Sequence, residues 1–252
     1  MKQLGVTGYP LDHSYSPSWF ARRFREEGRT DWHYDPFPVE QAEHIPRLFE
    51  QHPLLVGLNV TLPYKEEVVA WMDTLTPAAR RVGAVNTIRK ELDGRLTGHN
   101  TDVLALETMF SERNDPPRQA LILGTGGASK AVGRALEGLA VRPTWVSRTA
   151  RSQNRIWTYG ELNTDHLQQY PWIINTTPLG MHPQVDALPP LPYEGVGSSH
   201  WLLDLIYNPE QTRFLQEGAQ QGAQTENGLR MLAMQAAYSW QFFLEVYGLE
   251  EA

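Results

Sequence analysis

Short apolar runs alternate along the chain with longer segments of mixed polarity. Residues 3–7, 54–60, 120–123, 144–146, 172–175 and 201–204 read as strands, and the segments between them read as helices or long connections. Such alternation favours parallel sheets with crossover helices, so the expected class is α/β. A polar run, Ser111-Glu-Arg-Asn-Asp-Pro-Pro117, separates two blocks of this pattern and leads into the apolar residues before a glycine-rich loop. Residues 228–247, rich in Met, Ala and aromatics, read as one or two helices long enough to return to the first block. The expectation is therefore two domains with a cleft between them.

Length and composition agree with that division. The 252 residues, 41% of them hydrophobic, suffice for two packed cores. No cysteine occurs, so disulfides and thiolate metal sites are excluded, and the start Met1-Lys-Gln-Leu lacks the apolar stretch of a signal peptide. A cytoplasmic location is expected. No apolar run approaches the length of a membrane span. The surplus of 29 acidic over 22 basic residues argues against nucleic acid as a partner. The eight histidines show no paired ligand spacing, so no metal is expected. A small molecule is the expected partner, and the chain is expected to be a monomer or homodimer.

The glycine-rich loop is the first piece of candidate chemistry. Ala120-Leu-Ile-Leu-Gly124-Thr-Gly126-Gly127-Ala128-Ser129-Lys130 is a strand entering Gly-x-Gly-Gly and then a helical segment. Glycine lets the backbone approach a pyrophosphate, which the free amides at a helix start can bind. Ser129 occupies the third fingerprint position, small enough for close packing. Taken alone, the pattern is equally a plain tight turn. The next predicted strand ends in Ser147-Arg148-Thr149, where an enzyme specific for NAD would place an acid on the ribose diol. Hydroxyls and a guanidinium suit a 2′-phosphate instead, hence NADP; the alternative is a solvated arginine at a strand end.

A second group of polar residues lies earlier in the chain. Gly8-Tyr-Pro-Leu-Asp-His13-Ser14-Tyr15-Ser16-Pro17 precedes a helix expected over 19–27, Gly57-Leu-Asn59-Val-Thr61-Leu-Pro-Tyr-Lys65 follows an apolar run, and Gly83-Ala-Val-Asn86-Thr87 and Gly98-His99-Asn-Thr-Asp102 come next. Singly, the serines and Asp102 could be helix caps and Lys65 a surface residue. Two N-x-T sequons, at Asn59 and Asn175, are better explained in a non-secreted chain as pocket residues.

With these blocks in this order, joined by Asn175-Thr-Thr-Pro-Leu-Gly-Met181, Asp204-Leu-Ile-Tyr207-Asn-Pro-Glu-Gln-Thr212 and Asn227-Gly-Leu-Arg-Met-Leu-Ala-Met-Gln235, the chain resembles the shikimate dehydrogenase family from Gly5 to about Gln235. The resemblance implies an open, mostly parallel α/β substrate-binding catalytic domain, 1–102 plus 229–252, and a Rossmann NADP-binding domain, 103–228. It implies NADPH-dependent reduction of 3-dehydroshikimate, with Lys65 and Asp102 as the catalytic pair. By the same resemblance, Ser14, Ser16, Asn59, Thr61, Asn86, Tyr207 and Gln235 would surround the substrate. Gly124, Thr125, Gly126, Gly127, Ala128, Ser129, Ser147, Arg148, Thr149, Arg151, Thr176, Thr177, Leu205 and Gly228 would hold the cofactor. There are departures: Trp19-Phe20 stands where the family often has His-Asn, Val103-Leu104 replaces a glycine-bearing continuation, and residues 150–170 are short for a second crossover helix.

Elementary chemistry fits the implied reaction. Hydride delivery to a ketone develops negative charge on oxygen, which an ammonium can stabilise and protonate. A carboxylate can hold that ammonium and bond a neighbouring substrate hydroxyl. Neutral Asn, Ser, Thr, Tyr and Gln side chains suit a polyol because they offer both donors and acceptors. The nearest alternative is a quinate or dual quinate/shikimate dehydrogenase with NAD tolerance, which Arg148 opposes. The alternative from another class is a catalytically silent metabolite- or nucleotide-binding regulator, which the presence of both Lys65 and Asp102 opposes.

Overall fold

The computed structural model describes residues 1–11, 15–149 and 156–249. The chain divides into two compact units, Met1–Ala105 with Ala233–Ala252, and Leu106–Leu232.

The first unit contains β1 (Lys2–Gly8), α1 (Ser16–Glu26), β2 (Trp32–Pro38), α2 (Ile45–Gln51), β3 (Leu55–Val60), β4 (Thr74–Leu75), α3 (Pro77–Val82), β5 (Thr87–Lys90) and β6 (Leu96–His99), after which α4 (Thr101–Ser111) leaves it. Its six strands lie in the order β2-β1-β3-β5-β6-β4. β1 pairs in parallel with β2 and β3, whereas β5 runs antiparallel to both β3 and β6. The sheet is thus parallel but for one strand. The reversal follows from the Asp93-Gly94 turn between β5 and β6, a short connection that only an antiparallel pair accommodates. Two apolar clusters flank the sheet. One holds Ile45, Phe49, Leu58, Val68 and Ile88, and the other Phe20, Phe24, Trp32, Trp240 and Phe243.

α3 shows how locally the sequence sets this unit. The Thr76 hydroxyl accepts from the Ala79 amide, Pro77 occupies the first turn, and Gly83 ends the helix at φ 73°, the left-handed conformation glycine adopts freely. The chain is thereby turned so that Ala84 to Thr87 enter β5, with Asn86 buried.

The second unit contains β7 (Gln119–Leu123), α5 (Gly127–Gly138), β8 (Arg142–Ser147), β9 (Ile156–Thr158), α6 (Thr164–Leu167), β10 (Trp172–Asn175), β11 (Trp201–Asp204), α7 (Arg213–Gln220) and β12 (Gln224–Glu226). All its strand pairs are parallel, in the order β12-β11-β10-β7-β8-β9. The strand order reverses between β7 and β10, the switch point at which doubly wound sheets bind dinucleotides. Of the stretch 150–170, residues 150–155 lie outside the described residues; between β9 and β10 the chain forms a 3-10 turn and the four-residue α6. α8 (Leu229–Glu245) then carries the chain out of the second unit and into the first. Both passages between units fall within helices, α4 and α8. Among the described residues, no helix is long and apolar enough to cross a membrane.

Candidate active site

Lys65 and Asp102 meet in the first unit, Lys65 Nζ lying 2.8 Å from Asp102 Oδ2. Asp102 sits in the first turn of α4, but it is not the cap. Asn100 Oδ1 accepts from the Val103 amide at 3.0 Å, and Asn100 Nδ2 donates to the Ala84 carbonyl at 3.0 Å. Because Asn100 satisfies the helix start, the Asp102 carboxylate is left for Lys65, and its negative charge suits a helix N-terminus. Its other oxygen, Oδ1, accepts from Asn86 Nδ2 at 2.9 Å. The Asp102 side chain is 8% exposed and that of Lys65 19%, so the lysine is the more exposed member of the pair.

Around this pair two of the expected pocket residues, Asn86 and Asn59, join one polar network. Asn86 Oδ1 accepts from the Thr101 amide at 2.8 Å, and Asn86 Nδ2 donates to Thr101 Oγ1 at 2.9 Å. Asn59 Nδ2 donates to Thr87 Oγ1 at 3.2 Å and to Ser239 Oγ at 2.9 Å, while Asn59 Oδ1 accepts from the Tyr34 hydroxyl at 2.9 Å. Tyr34 also bonds Ser16, and burial pushes its phenol above the ordinary range. Phe20, one of the departures from the family pattern, stacks on Tyr34 with ring centroids 4.3 Å apart. Thr61 follows β3, its amide donating to the Thr7 carbonyl, and Gln235 lies on α8 within the first unit. Ser14 lies outside the described residues. Tyr207 falls in the second unit, on the loop after β11. The motif histidine, His99, bonds Thr76 Oγ1 through Nδ1 at 2.7 Å, and burial, with the Arg89 charge adding, pulls its imidazole down to about 4. It is therefore neutral near pH 7.

In the second unit the loop between β7 and α5 crosses the switch point. Gly124 has φ 107°, and Thr176 Oγ1, on the loop after β10, donates to the Leu123 carbonyl at 2.6 Å. A Cβ built at Gly126 meets no protein atom within 4 Å, so nothing in the protein itself requires glycine there. The space over its backbone is open to close approach by a ligand. Gly126 caps α5 without a side-chain bond, which leaves the first-turn amides, including those at Gly127 and Ala128, open to an anion, with Thr125 beside them. The buried Ser129 hydroxyl donates to the Gly126 carbonyl at 2.6 Å. Close packing of helix on strand falls to Gly133, where a Cβ would stand 2.5 Å from the Trp145 ring. The residue types present fit a pyrophosphate.

The other expected cofactor residues that are described lie in the same unit. Ser147 is buried at the end of β8, with exposed Arg148 and Thr149 following it; Arg151 lies outside the described residues. Tyr159 lies within electrostatic reach of Arg148, whose charge opposes the burial that pushes the phenol up to about 12. Sequence patterns gave no sign of that tyrosine. Thr177 Oγ1 donates to Asn175 Oδ1 at 2.7 Å, the Leu205 amide donates to the Asn175 carbonyl at 3.0 Å, and the Gly228 amide donates to the Ile206 carbonyl at 3.0 Å. Gly228 packs so closely on the Leu205 carbonyl that a Cβ would overlap it.

Asp204 ties these loops together. Its Oδ1 accepts from Asn175 Nδ2 and the Ile206 amide, each at 3.0 Å, and its Oδ2 accepts from the Thr212 hydroxyl at 2.6 Å. Burial pushes this carboxyl up to about 6, against the pull of those three hydrogen bonds. A raised carboxyl pKa means that the folded state binds the proton more tightly than the unfolded chain, so this group's contribution to stability falls as pH rises through about 4 to 6. Asp204→Asn lacks that titration. Its stability relative to the parent should therefore increase between pH 4 and 7, by at most about 3 kcal/mol for a shift of roughly two units. Thermal unfolding of both proteins across that range checks the sign; a gap that stays flat contradicts it.

A wholly parallel sheet in dinucleotide-binding order, with a glycine loop at its switch point and an ammonium–carboxylate pair held in a separate mixed sheet, defines a nucleotide-dependent dehydrogenase architecture. The profile for the shikimate dehydrogenase substrate binding domain matches residues 6–88. A shikimate dehydrogenase (NADP(+)) from Desulforamulus reducens is 34% identical over 266 residues, covering 95% of this chain and 88% of that protein. The structure of shikimate 5-dehydrogenase from Thermus thermophilus in complex with NADP(H) and shikimate superposes with a TM-score of 0.83 at 30% identity, covering 100% of this chain and 95% of the other. Quinate dehydrogenase from Corynebacterium glutamicum in complex with NAD superposes with a TM-score of 0.84 at 25% identity, over 100% of this chain and 95% of the other. The chain belongs to the shikimate dehydrogenase family.

Proposed function

We infer that the chain is an NADP-dependent oxidoreductase that interconverts 3-dehydroshikimate and shikimate. The observation that carries this reading is the Lys65–Asp102 pair at 2.8 Å within a network of neutral hydrogen-bonding side chains, in a family whose relatives carry that activity in their names. NADPH supplies the hydride. The Lys65 ammonium donates a hydrogen bond to the ketone oxygen as negative charge develops on it and then passes it a proton, leaving a neutral amine that regains its proton from solvent. In the oxidative direction the neutral amine takes that proton from the hydroxyl. Asp102 positions the ammonium through Oδ2 and accepts from a neighbouring substrate hydroxyl. Ser14, Ser16, Thr61, Asn59, Asn86 and Gln235 bind the substrate from the first unit.

The loops of the second unit hold NADP. The amides of 124–129 take the pyrophosphate, Ser147, Arg148, Thr149 and Arg151 the 2′-phosphate side, and Thr176, Thr177, Leu205 and Gly228 the remainder. A 2′-phosphate carries about two negative charges, and a guanidinium can meet it with paired bonds that a ribose hydroxyl does not offer. Arg148→Ala should therefore lower the preference for NADP over NAD by about ten- to a hundred-fold, since a charge-assisted hydrogen bond is worth roughly 1.5–3 kcal/mol. The KM for shikimate should hold steady. The check is kcat/KM with both cofactors in parent and variant; an undiminished NADP preference contradicts the role given to Arg148. The measurement that tests the function itself is NADPH oxidation with 3-dehydroshikimate as the only acceptor.

A further inference from the structure

Ser239 belongs to none of the motifs that mark the pocket, yet its hydroxyl stands where they meet. It lies one turn beyond Gln235 on α8, with no exposed surface. Four groups surround Ser239 Oγ: the Gln235 carbonyl at 2.9 Å, Asn59 Nδ2 at 2.9 Å, Thr87 Oγ1 at 2.9 Å and Thr101 Oγ1 at 3.1 Å. A serine hydroxyl has one hydrogen and two lone pairs. The carbonyl can only accept, so the hydrogen goes to Gln235, a bond from residue i to i−4 along the helix. Toward the pocket, Ser239 is therefore an acceptor only.

That polarity spreads through the network. Asn59 must turn its amide hydrogens to Ser239 and Thr87, which places its Oδ1 against the Tyr34 hydroxyl. One lone pair of Ser239 is left after Asn59, and Thr101 and Thr87 each reach both it and Asn86 Oδ1, so one gives its hydrogen to Ser239 and the other to Asn86; Thr101 Oγ1 accepts from Asn86 Nδ2, whose second hydrogen goes to Asp102 Oδ1. Each donor then has one acceptor, and Asp102 Oδ2 is left for Lys65.

We propose that Ser239 is a positioning residue for the reaction, an obligate acceptor on the C-terminal helix that fixes the amide orientation of Asn59 and, through Thr101 and Asn86, the Asp102 carboxylate. The proposal rests on the functional reading above. Without the hydroxyl, one Asn59 N–H is buried without an acceptor and the hydrogens of Thr87 and Thr101 both fall to Asn86 Oδ1, 3.1 and 3.2 Å away.

The test compares Ser239→Ala, Ser239→Cys and Ser239→Thr in the full chain. Cysteine fills the space with a weak acceptor, whereas threonine keeps the hydroxyl. The alanine and cysteine variants should lose about tenfold or more in kcat/KM for shikimate, with the KM for NADP⁺ within twofold of the parent, and the threonine variant should retain most of the activity. Parental kcat/KM in the cysteine variant, or equal losses toward shikimate and NADP⁺, overturns the proposal. If the alanine variant does not fold, the cysteine and threonine variants decide by the same criteria. If the parent itself does not oxidise shikimate, the functional reading fails separately. The positioning role is then read from the ¹⁵N side-chain amide resonances of Asn59 and Asn86, which should shift in Ser239→Cys and which overturn it if unchanged.

Discussion

Lys65→Ala should lower kcat for shikimate oxidation by about 10²–10⁴-fold, the range that a positioned general acid or base contributes. The ammonium has one carboxylate partner, at 2.8 Å, on a side chain that keeps 19% of its surface exposed, so two of its three N–H groups remain for the substrate and solvent. The interaction lost is made chiefly in the transition state, because the ketone oxygen becomes basic only as hydride arrives. The KM for shikimate should thus change far less than kcat. Steady-state rates with saturating NADP⁺ separate the two. An unchanged kcat removes Lys65 from the chemistry, and a rise in KM alone reduces it to a binding group.

Asp102→Asn should cost about 10²-fold or more in kcat, although it keeps the shape of the side chain. The carboxylate accepts on both oxygens, from Lys65 at one and Asn86 at the other. An amide accepts at only one, so in either orientation its NH₂ faces a donor, the Lys65 ammonium or the Asn86 amide. The variant also lacks the charge that holds the ammonium. Because Asn100 caps α4, the helix start survives the change, and the loss should appear in the reaction rather than in folding. Rates measured across pH 6 to 10, with thermal unfolding alongside, distinguish these outcomes. Normal activity throughout that range would leave Asp102 with no role beyond the helix.

Much of the frame was legible because buried parallel strands leave continuous apolar runs. β10 and β11 coincide with the runs read from sequence, and β1, β3, β7 and β8 differ from them only at their ends. β2 escaped notice because it is an edge strand carrying Pro36 and Pro38, with only Trp32 and Phe37 buried along its seven residues. β5 and β6 were read as motifs, although the Asp93-Gly94 pair between them is a hairpin signal. The glycine loop was legible as a local pattern, but the close-packing glycine, Gly133, sits one helical turn beyond Ser129, in the place that Trp145 dictates. Least legible was the wiring of the polar pocket. Ser239 bonds Asn59 across 180 positions and Thr87 across 152, and no spacing rule reaches that far. Asn100 was hidden differently, inside a motif whose aspartate drew attention to itself.

The most direct test of the account is a set of initial rates for the parent protein with shikimate or quinate as substrate and NADP⁺ or NAD⁺ as acceptor, each as kcat/KM. Shikimate with NADP⁺ should exceed every other combination, with the NADP⁺ preference lying in the roughly tenfold to hundredfold range assigned to Arg148. Faster turnover of quinate with NAD⁺, or no oxidation of shikimate with either cofactor, would contradict it.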